Sequence, residues 1–333
     1  MTLKKTFAQP DMTYRGKPFW SWNGRLEEAE VRRQIRVFKR MGLGGGFMHS
    51  RVGLATPYLS EEWFRIVKAC IDECRQHGME AWLYDEDRWP SGAAGGLVTK
   101  DPRHRMRAII LNATTPKDAV LTGDELALFL AQMDATGFRN VRHITAAELG
   151  SAGTRDKVLA IRVKIDDPSP WYNGYTYLDV LSRDAVAKFI EVTHDAYARE
   201  VGADFGALVP GIFTDEPNYG GTWRGDGYGR VPWTDVLPEV FRQRYGYDLI
   251  QHLPELFGLV DGAVVSKVRR DYRDCLTHLF VTNFAQPIFE WCAQRGIAFT
   301  GHVLCEESLH AQTNFVGSAM RFYEYMQAPG IDI

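Results

Sequence analysis

The 333-residue sequence has no apolar run near the roughly 20 residues that a bilayer-spanning helix needs. Its first seven residues, Met1 to Phe7, contain two lysines, but no apolar stretch follows them. That pattern argues against a secretory signal, in which a positive segment precedes a longer apolar one. We therefore expect no membrane partner.

Cysteine is scarce, and the cysteines show no paired spacing of the C-x-x-C kind. The sequence has five cysteines, an odd number, without a C-x-x-C pair: Cys70, Cys74, Cys275, Cys292 and Cys305. An odd number without such a pair does not indicate a disulfide framework. We expect reduced thiols and a cytoplasmic location.

An excess of positive charge is also missing. The net charge of -3 argues against a nucleic-acid partner, because nucleic-acid-binding domains usually carry basic surfaces. The glycine-rich segment 42–46 precedes a predicted strand and leads into no helix, so a nucleotide-binding loop is not expected there. With 45% hydrophobic and 24% charged residues, the composition is that of an ordinary globular enzyme.

Aromatic residues are plentiful, with 9 Trp, 14 Tyr and 18 Phe. Six tryptophans lie beside the polar ends of predicted strands: Trp20, Trp22, Trp82, Trp89, Trp171 and Trp223. Packing in the core is one explanation for each of them. Stacking on the apolar face of a sugar ring is the other. Their position near turns favours sugar binding for Trp22 and Trp89.

Strand and helix patterns alternate along most of the chain. The patterns predict strands at 19–23, 44–50, 79–84, 176–180, 211–214 and 298–304, with a seventh beginning at 329–333. Helix boundaries are predicted from Ser60, a typical N-cap, and from Gly42 and Gly78, which follow helical segments. Proline at 287 should kink or split the long helical segment 264–295.

This alternation predicts an α/β fold, a TIM-type (β/α)8 barrel that is incomplete at its C-terminus. Residues 1–102 would form the first part of the barrel, and 176–333 its continuation as the catalytic domain. Residues 103–175, which contain short β-like runs and no convincing helix, would form a β-rich insertion after the third strand. Missing barrel strands or accessory domains would then lie in a longer chain or a partner.

Two acidic clusters follow predicted strands and predict the chemistry. Asp215 and Glu216 end the fifth strand, while Glu306 and Glu307 follow the sixth. Paired carboxyl groups across a pocket are used to cleave glycosidic bonds. Glu216 is the candidate acid, with Asp215 orienting it or binding a sugar hydroxyl. Period-two alternation from His302 favours Glu306 as the base, with Glu307 in reserve, although both glutamates could instead begin a helix.

Further strand-end residues are candidate sugar ligands: Asn23, His49, Asp85, Glu86, Asn218 and His302. The acids in segment 85–88 could bind hydroxyl groups or a divalent cation, or neutralise one another in salt bridges. A metal-dependent hydrolase built from His49, Asp85 and His302 is a third hypothesis. No zinc-type spacing supports that hypothesis, and the residues alone define no metal ligands.

Several motifs together resemble a known family. They are Phe19 to Gly24, Trp82 to Glu86 with Trp89 to Gly92, Thr214 to Pro217, and Gly301-His302 leading to Tyr323 to Asp332. This combination resembles the N-terminal barrel of glycoside hydrolase family 106, the α-L-rhamnosidase-like proteins. The resemblance implies an inverting hydrolase with two glutamates, and further β-rich domains beyond the barrel. It also admits Ca2+ near the sugar as a cofactor.

The leading hypothesis is therefore a glycoside hydrolase that cleaves O-glycosidic bonds by paired-glutamate catalysis on a carbohydrate substrate. The alternative is a catalytically inactive carbohydrate-binding barrel or scaffold protein, which the truncated barrel suggests. Sugar binding without product release would distinguish the second from the first.

Overall fold

The computed structural model describes residues 3–222 and 228–332. Trp223, one of the six tryptophans considered above, lies outside the described residues, as does Ile333. Within the described part of the chain, no helix is both long and apolar enough to cross a membrane.

The strands, in chain order, are β1 Phe19–Gly24, β2 Gly45–Leu54, β3 Glu80–Tyr84, β4 Arg107–Thr114, β5 Glu125–Asp134, β6 Gly137–Ile144, β7 Lys157–Ile165, β8 Gly211–Asp215, β9 Arg230–Trp233, β10 Leu259–Val260, β11 Ala298–His302 and β12 Ala328–Pro329. The α-helices are α1 Leu3–Ala8, α2 Glu28–Met41, α3 Glu61–His77, α4 Arg183–Phe189, α5 Asp195–Val201, α6 Leu237–Tyr245, α7 Pro254–Phe257, α8 Lys267–Phe280, α9 Gln286–Gln294, α10 Leu309–Phe315 and α11 Ala319–Tyr323. Single π-helical turns, Ile190–His194 and Val281–Ala285, join α4 to α5 and α8 to α9.

A parallel sheet with the strand order β1-β2-β3-β8-β11-β12 forms the centre of the molecule. All of its neighbouring strands pair in the same direction. Parallel neighbours require crossover connections, which helices such as α2 and α3 supply here. The predicted α/β class with a parallel sheet is confirmed, and closure into eight strands stays a prediction.

The predicted strand at 176–180 is wrong. In the parallel sheet β3 pairs directly with β8, Tyr84 lying opposite Phe213. The segment is buried and extended, but its backbone bonds to the loop before β4. Tyr177 O accepts from the Met106 amide at 2.9 Å, and the Asp179 amide donates to His104 O at 2.9 Å. A buried apolar run alone cannot show which neighbour its backbone will bond.

A second, mainly antiparallel sheet has the order β10-β6-β5-β7-β4-β9. Strands β4 to β7 lie within 107–165, where the sequence shows short β-like runs. Strand β9 pairs antiparallel with β4, and β10 pairs with β6. These two short strands come from 230–260, so the later part of the chain returns to complete this sheet.

The helix ends follow from capping residues in the sequence. The Ser60 hydroxyl accepts a hydrogen bond from the Trp63 amide at 3.2 Å, which satisfies a free amide in the first turn of α3. Gly42 ends α2 in the left-handed conformation, with φ of 82°. Pro287 lies in the first turn of α9, and the π turn Val281–Ala285 directly before α9 separates that helix from α8.

Trp22, predicted as a sugar-stacking residue, belongs to the core. Its side chain is buried, and its ring contacts those of Trp20 and Trp63 edge to face, with centroids 5.2 Å apart in each case. Side chains alternate along β1, so Trp20 and Trp22 face helices α2 and α3 while Phe19, Ser21 and Asn23 face the other way. The sugar-binding prediction for Trp22 is therefore wrong.

A buried acid in the segment before α4 makes stability depend on pH. Burial raises the pKa of Asp179 from its ordinary 3.8 to about 7, although Thr234 donates to it at 2.7 Å. The folded protein thus holds the Asp179 proton more tightly than the unfolded protein does. The stability that this protonated carboxyl group contributes is lost as the pH rises towards 7. We expect the free energy of unfolding to fall by one to a few kcal/mol, on the order of 2, between about pH 4.5 and about pH 7.

Asp179→Asn provides the comparison, because an amide keeps the shape without the titration. The slope of urea midpoint against pH should be smaller in that variant than in the wild type. Identical slopes would assign the pH dependence to other groups.

Candidate active site

A cavity of about 660 Å³ opens at the carboxyl ends of the parallel strands. It is lined by Phe19, Ser21, Asn23, His49, Arg51, Val52, Arg88, Trp89, Trp171, Asp215, Glu216, His302 and Asp332. In parallel α/β barrels this end of the sheet carries the reacting groups. The cavity is large enough for one or two sugar rings and has both aromatic and carboxylate walls.

Asp215, the last residue of β8, lies close to two histidines, His302 on the adjacent strand β11 and His49 on β2. Its Oδ2 accepts a hydrogen bond from the Tyr84 hydroxyl at 2.8 Å and lies 3.6 Å from His49 Nε2. Its Oδ1 lies 3.6 Å from His302 Nε2. Burial opposes ionisation, but these contacts with His49, Tyr84 and His302 together hold the pKa of Asp215 below its usual value. Asp215 therefore places a carboxylate beside both imidazoles.

The register of β8 and β11 places these residues side by side. Asp215 lies opposite His302, and Gly301 lies opposite Thr214. A Cβ on Gly301, where φ is 132°, would sit 1.9 Å from the Thr214 carbonyl oxygen. Glycine before His302 therefore lets the two strands approach closely enough to present both side chains at one point.

Glu216 follows β8 with a left-handed backbone, φ 49°, and its amide donates to His302 O at 3.0 Å. This conformation is unusual for a residue other than glycine and is common at functional sites. The side chain faces the cavity and accepts a hydrogen bond from Trp89 Nε1. Burial raises the pKa of Glu216, and the neighbouring Asp215 and Glu306 carboxylates add to this, against the Trp89 bond and His302.

Glu306 reaches the same point, but not by the predicted route. Strand β11 ends at His302 rather than at residue 304, and a turn with Cys305 at φ 60° follows. The period-two argument therefore does not apply to Glu306. The turn instead returns the side chain to His302, with Oε1 3.5 Å from His302 Nδ1. The Asp332 amide donates to the same oxygen at 2.9 Å.

The reserve candidate Glu307 has a different environment. Glu307 is exposed, whereas Glu306 is half-buried and contacts His302 of the cavity wall. The turn that brings Glu306 inward sends the next side chain out. Of the two glutamates predicted at this strand end, the structure brings only Glu306 to Glu216.

The acids at the end of β3 organise the chain rather than line the cavity. Glu86 is buried and accepts from four backbone amides, those of Asp87, Gly92, Ala94 and Gly95, at 2.5–2.9 Å. Asp85 is fully buried and accepts from the Ser91 hydroxyl at 2.5 Å. Burial raises the pKa of Asp85 well above its ordinary value. Neither residue contacts the cavity, so the sugar-binding predictions for both are wrong.

Of the other predicted sugar ligands, some line the cavity and one supports the backbone beside it. Asn23, His49, Trp89 and His302 line the cavity. Asn218 does not line it. The side-chain Nδ2 of Asn218 donates to Glu216 O at 3.1 Å, and its Oδ1 accepts from the Gly220 backbone amide at 3.0 Å. That residue supports the Glu216 turn.

The sequence did not single out several residues of the cavity wall as ligands. These are Phe19, Ser21, Arg51, Val52, Arg88, Trp171 and Asp332. Alternation along β1 would have placed Phe19 and Ser21 on the face of Asn23. Trp171 comes from a distant segment, where its indole donates to the Trp89 carbonyl oxygen at 2.5 Å, and only the tertiary structure reveals that contact.

Ca2+ near the sugar stays a prediction, and Glu86 is not available as one of its ligands. Calcium takes six to eight oxygen ligands, whereas both Glu86 oxygens are occupied by backbone amides. The predicted set of His49, Asp85 and His302 does not form either, because both histidines face Asp215. Within residues 3–222 and 228–332, the group of metal-ligating side chains that comes together is Glu216, His302 and Glu306. Its imidazole nitrogen is unsuited to calcium.

A parallel α/β sheet that gathers carboxylates at its strand ends around a sugar-sized cavity is the arrangement of barrel-type glycoside hydrolases. Residues 167–331 match the family model of glycoside hydrolase family 106, described as alpha-L-rhamnosidase. This part of the chain is thus similar to the rhamnosidase family that the sequence motifs resemble.

A solved rhamnosidase structure has a similar fold. Rhamnosidase from Novosphingobium sp. PP1Y superposes with a TM-score of 0.66 at 13% identity, over 98% of this chain and 49% of that chain. The chain therefore spans about half the length of that rhamnosidase. The catalytic domain of beta-amylase from Paenibacillus polymyxa gives a TM-score of 0.32 at 10% identity, over 86% and 76% of the two chains, which supports no argument. No curated protein gave a significant match.

Proposed function

We propose that this chain hydrolyses O-glycosidic bonds of α-L-rhamnosides or closely related sugars. The observation that carries the proposal is the meeting of Glu216 and Glu306, from two different strand ends, around His302. Glu216 and His302 both line the cavity of about 660 Å³. The match of residues 167–331 to the alpha-L-rhamnosidase family and the similar fold of a rhamnosidase support the sugar class.

Glu216 is the general acid in this proposal. A general acid must still hold its proton near neutral pH, and burial raises the pKa of Glu216 in that direction. Asp215, one residue earlier, has its pKa held down by its two histidines and Tyr84. Adjacent carboxyl groups with opposite shifts are typical of a site that keeps one acid protonated beside an anion. The anion stabilises positive charge that develops on the sugar ring.

Glu306 is the second carboxyl group of the pair. Inverting hydrolases separate the two groups by about 6.5–9.5 Å to admit water, and retaining ones by about 5–5.5 Å. The nearest side-chain oxygens of Glu216 and Glu306 lie within 4.8 Å. Inversion by this pair would therefore need one side chain to move away when the sugar binds. An inverted first anomer in ¹H NMR would require that movement or another base, whereas a retained anomer fits the observed spacing.

The Trp89 indole offers a specific test through pH. Its hydrogen bond to Glu216 lowers the pKa of that acid, because the bond stabilises the anion. Trp89→Phe removes the donor and keeps an aromatic wall. We expect the alkaline limb of the kcat/KM profile to move to higher pH, since Glu216 would stay protonated longer.

Trp171→Phe is the matched control, because Trp171 lines the same cavity and its indole bonds to a carbonyl oxygen instead. Its alkaline limb should stay in place. Equal shifts in both variants would contradict the role of Glu216 as acid.

The broadest test is a screen of aryl glycosides, with the α-L-rhamnoside as the expected substrate. Calorimetry on the same sugars separates the two hypotheses. Binding together with aglycone release supports the hydrolase, while binding without release would support the inactive carbohydrate-binding barrel.

A further inference from the structure

We propose that Glu216, His302 and Glu306 also form a binding site for a divalent transition-metal ion of the zinc type, and that such an ion inhibits the enzyme. Only the predicted inhibition depends on the proposed glycosidase function. Ion binding itself follows from the three side chains.

The spacing of the donor atoms suits a small tetrahedral ion. His302 Nδ1 lies 3.5 Å from Glu306 Oε1 and 3.9 Å from Glu216 Oε1, and all three donors lie within 4.8 Å of one another. Tetrahedral zinc with bonds of about 2.1 Å sets its ligands about 3.4 Å apart. Two of the three separations are already within about 0.5 Å of that value. A small rotation of one glutamate brings in the third.

His302 provides an independent observation. Its side chain is only 7% exposed, yet Nδ1 has no hydrogen-bond partner. A buried imidazole nitrogen without a partner is costly unless something fills that position. Nδ1 points between the two glutamates, where an ion would satisfy it.

The surroundings of the three ligands resemble those of built metal sites. Metal-binding histidines commonly place their other nitrogen beside a carboxylate, which fixes the ring. Here His302 Nε2 lies 3.6 Å from Asp215 Oδ1, and Tyr84 anchors the other Asp215 oxygen. Trp89 holds Glu216 Oε2, which leaves Oε1 facing His302.

The ligand chemistry selects the kind of ion. One imidazole and two carboxylates suit zinc and its neighbours in the transition series, and fall short of the oxygen-rich shell that calcium needs. Glu216 and His302 line the cavity, so a fourth position would open towards solvent. An ion held there occupies both proposed catalytic carboxylates, and it should therefore block proton transfer by Glu216.

Calorimetry with Zn2+ alone tests the site on protein first stripped with a chelator. We expect one ion per wild-type chain, at least about 100-fold weaker binding for His302→Ala, and about 10–100-fold weaker binding for Asp215→Asn. The matched control is His310→Ala, because His310 is exposed on α10 and should leave affinity unchanged. Circular dichroism without metal confirms that each variant is folded.

Cobalt(II) gives a readout that does not depend on activity, since tetrahedral coordination produces intense visible absorption. Wild-type protein should show that spectrum, and His302→Ala should lose it. No stoichiometric uptake by the wild type, or equal affinity in His302→Ala, would overturn the site. Metal binding without any glycosidase activity would refute the proposed function alone, and Zn2+ binding that leaves hydrolysis unaffected would refute the inhibition.

Discussion

Replacing Glu216 by glutamine should lower kcat on a phenyl α-L-rhamnoside by about 10²- to 10⁴-fold, the usual contribution of a general acid. Glutamine keeps the size of the side chain and still offers an oxygen to the Trp89 indole. It has no proton to give to the leaving oxygen. The fold and sugar affinity should therefore survive while turnover is lost.

Two comparisons make this result specific. Glu307→Gln applies the same change to an exposed glutamate on the neighbouring turn and should stay within about twofold of wild type. A dinitrophenyl glycoside, whose leaving group needs no protonation, should recover much of the lost rate in Glu216→Gln. Equal losses on both substrates would show that Glu216 positions the sugar instead of protonating the leaving group.

Glu86→Ala should produce the largest loss of stability, about 3–5 kcal/mol. The Glu86 carboxylate joins four backbone amides of segment 87–95, the segment that carries Trp89. Alanine leaves those buried donors without a partner, and each unsatisfied donor costs about 1–3 kcal/mol before relaxation. Urea denaturation measures the effect.

Two further variants distinguish the loss of these hydrogen bonds from a general effect of mutation. Glu86→Gln retains one accepting oxygen, so its stability should fall between those of alanine and wild type. Glu290→Ala removes an exposed glutamate from α9 and should change the free energy of unfolding by no more than about 0.5 kcal/mol. Wild-type urea midpoints in both Glu86 variants would show that the four bonds contribute nothing.

The sequence predicted the chemistry of the site better than its details. Acids placed directly after strands predicted that Glu216 and Glu306 would approach one another, because parallel strands end on one side of a sheet. Glu306 arrives through a turn, however, and not by continuation of β11. The proximity of Glu306 to His302 depends on the left-handed backbone conformation of Cys305, which no sequence pattern predicts.

Trp22, Asp85 and Glu86 show where local patterns fail. A tryptophan or an acid at a strand end can face either side of the sheet, and the opposite side is occupied by helices or loops. Trp22 meets Trp63 of α3, and Glu86 meets the amides of its own loop. Partners of this kind come from packing and loop closure, so the residue type alone does not distinguish a ligand from a scaffold.

By itself, the amino-acid sequence determined the parallel α/β class, most of the strands, the helix caps and the resemblance to a rhamnosidase family, because these depend on periodicity, capping chemistry and short motifs. Only the tertiary structure decided that β3 pairs with β8, that Glu306 rather than Glu307 turns inward, and that Asp215 lies between two histidines. Those outcomes depend on strand register and on backbone conformation in turns. Both are set by contacts between segments far apart in the chain.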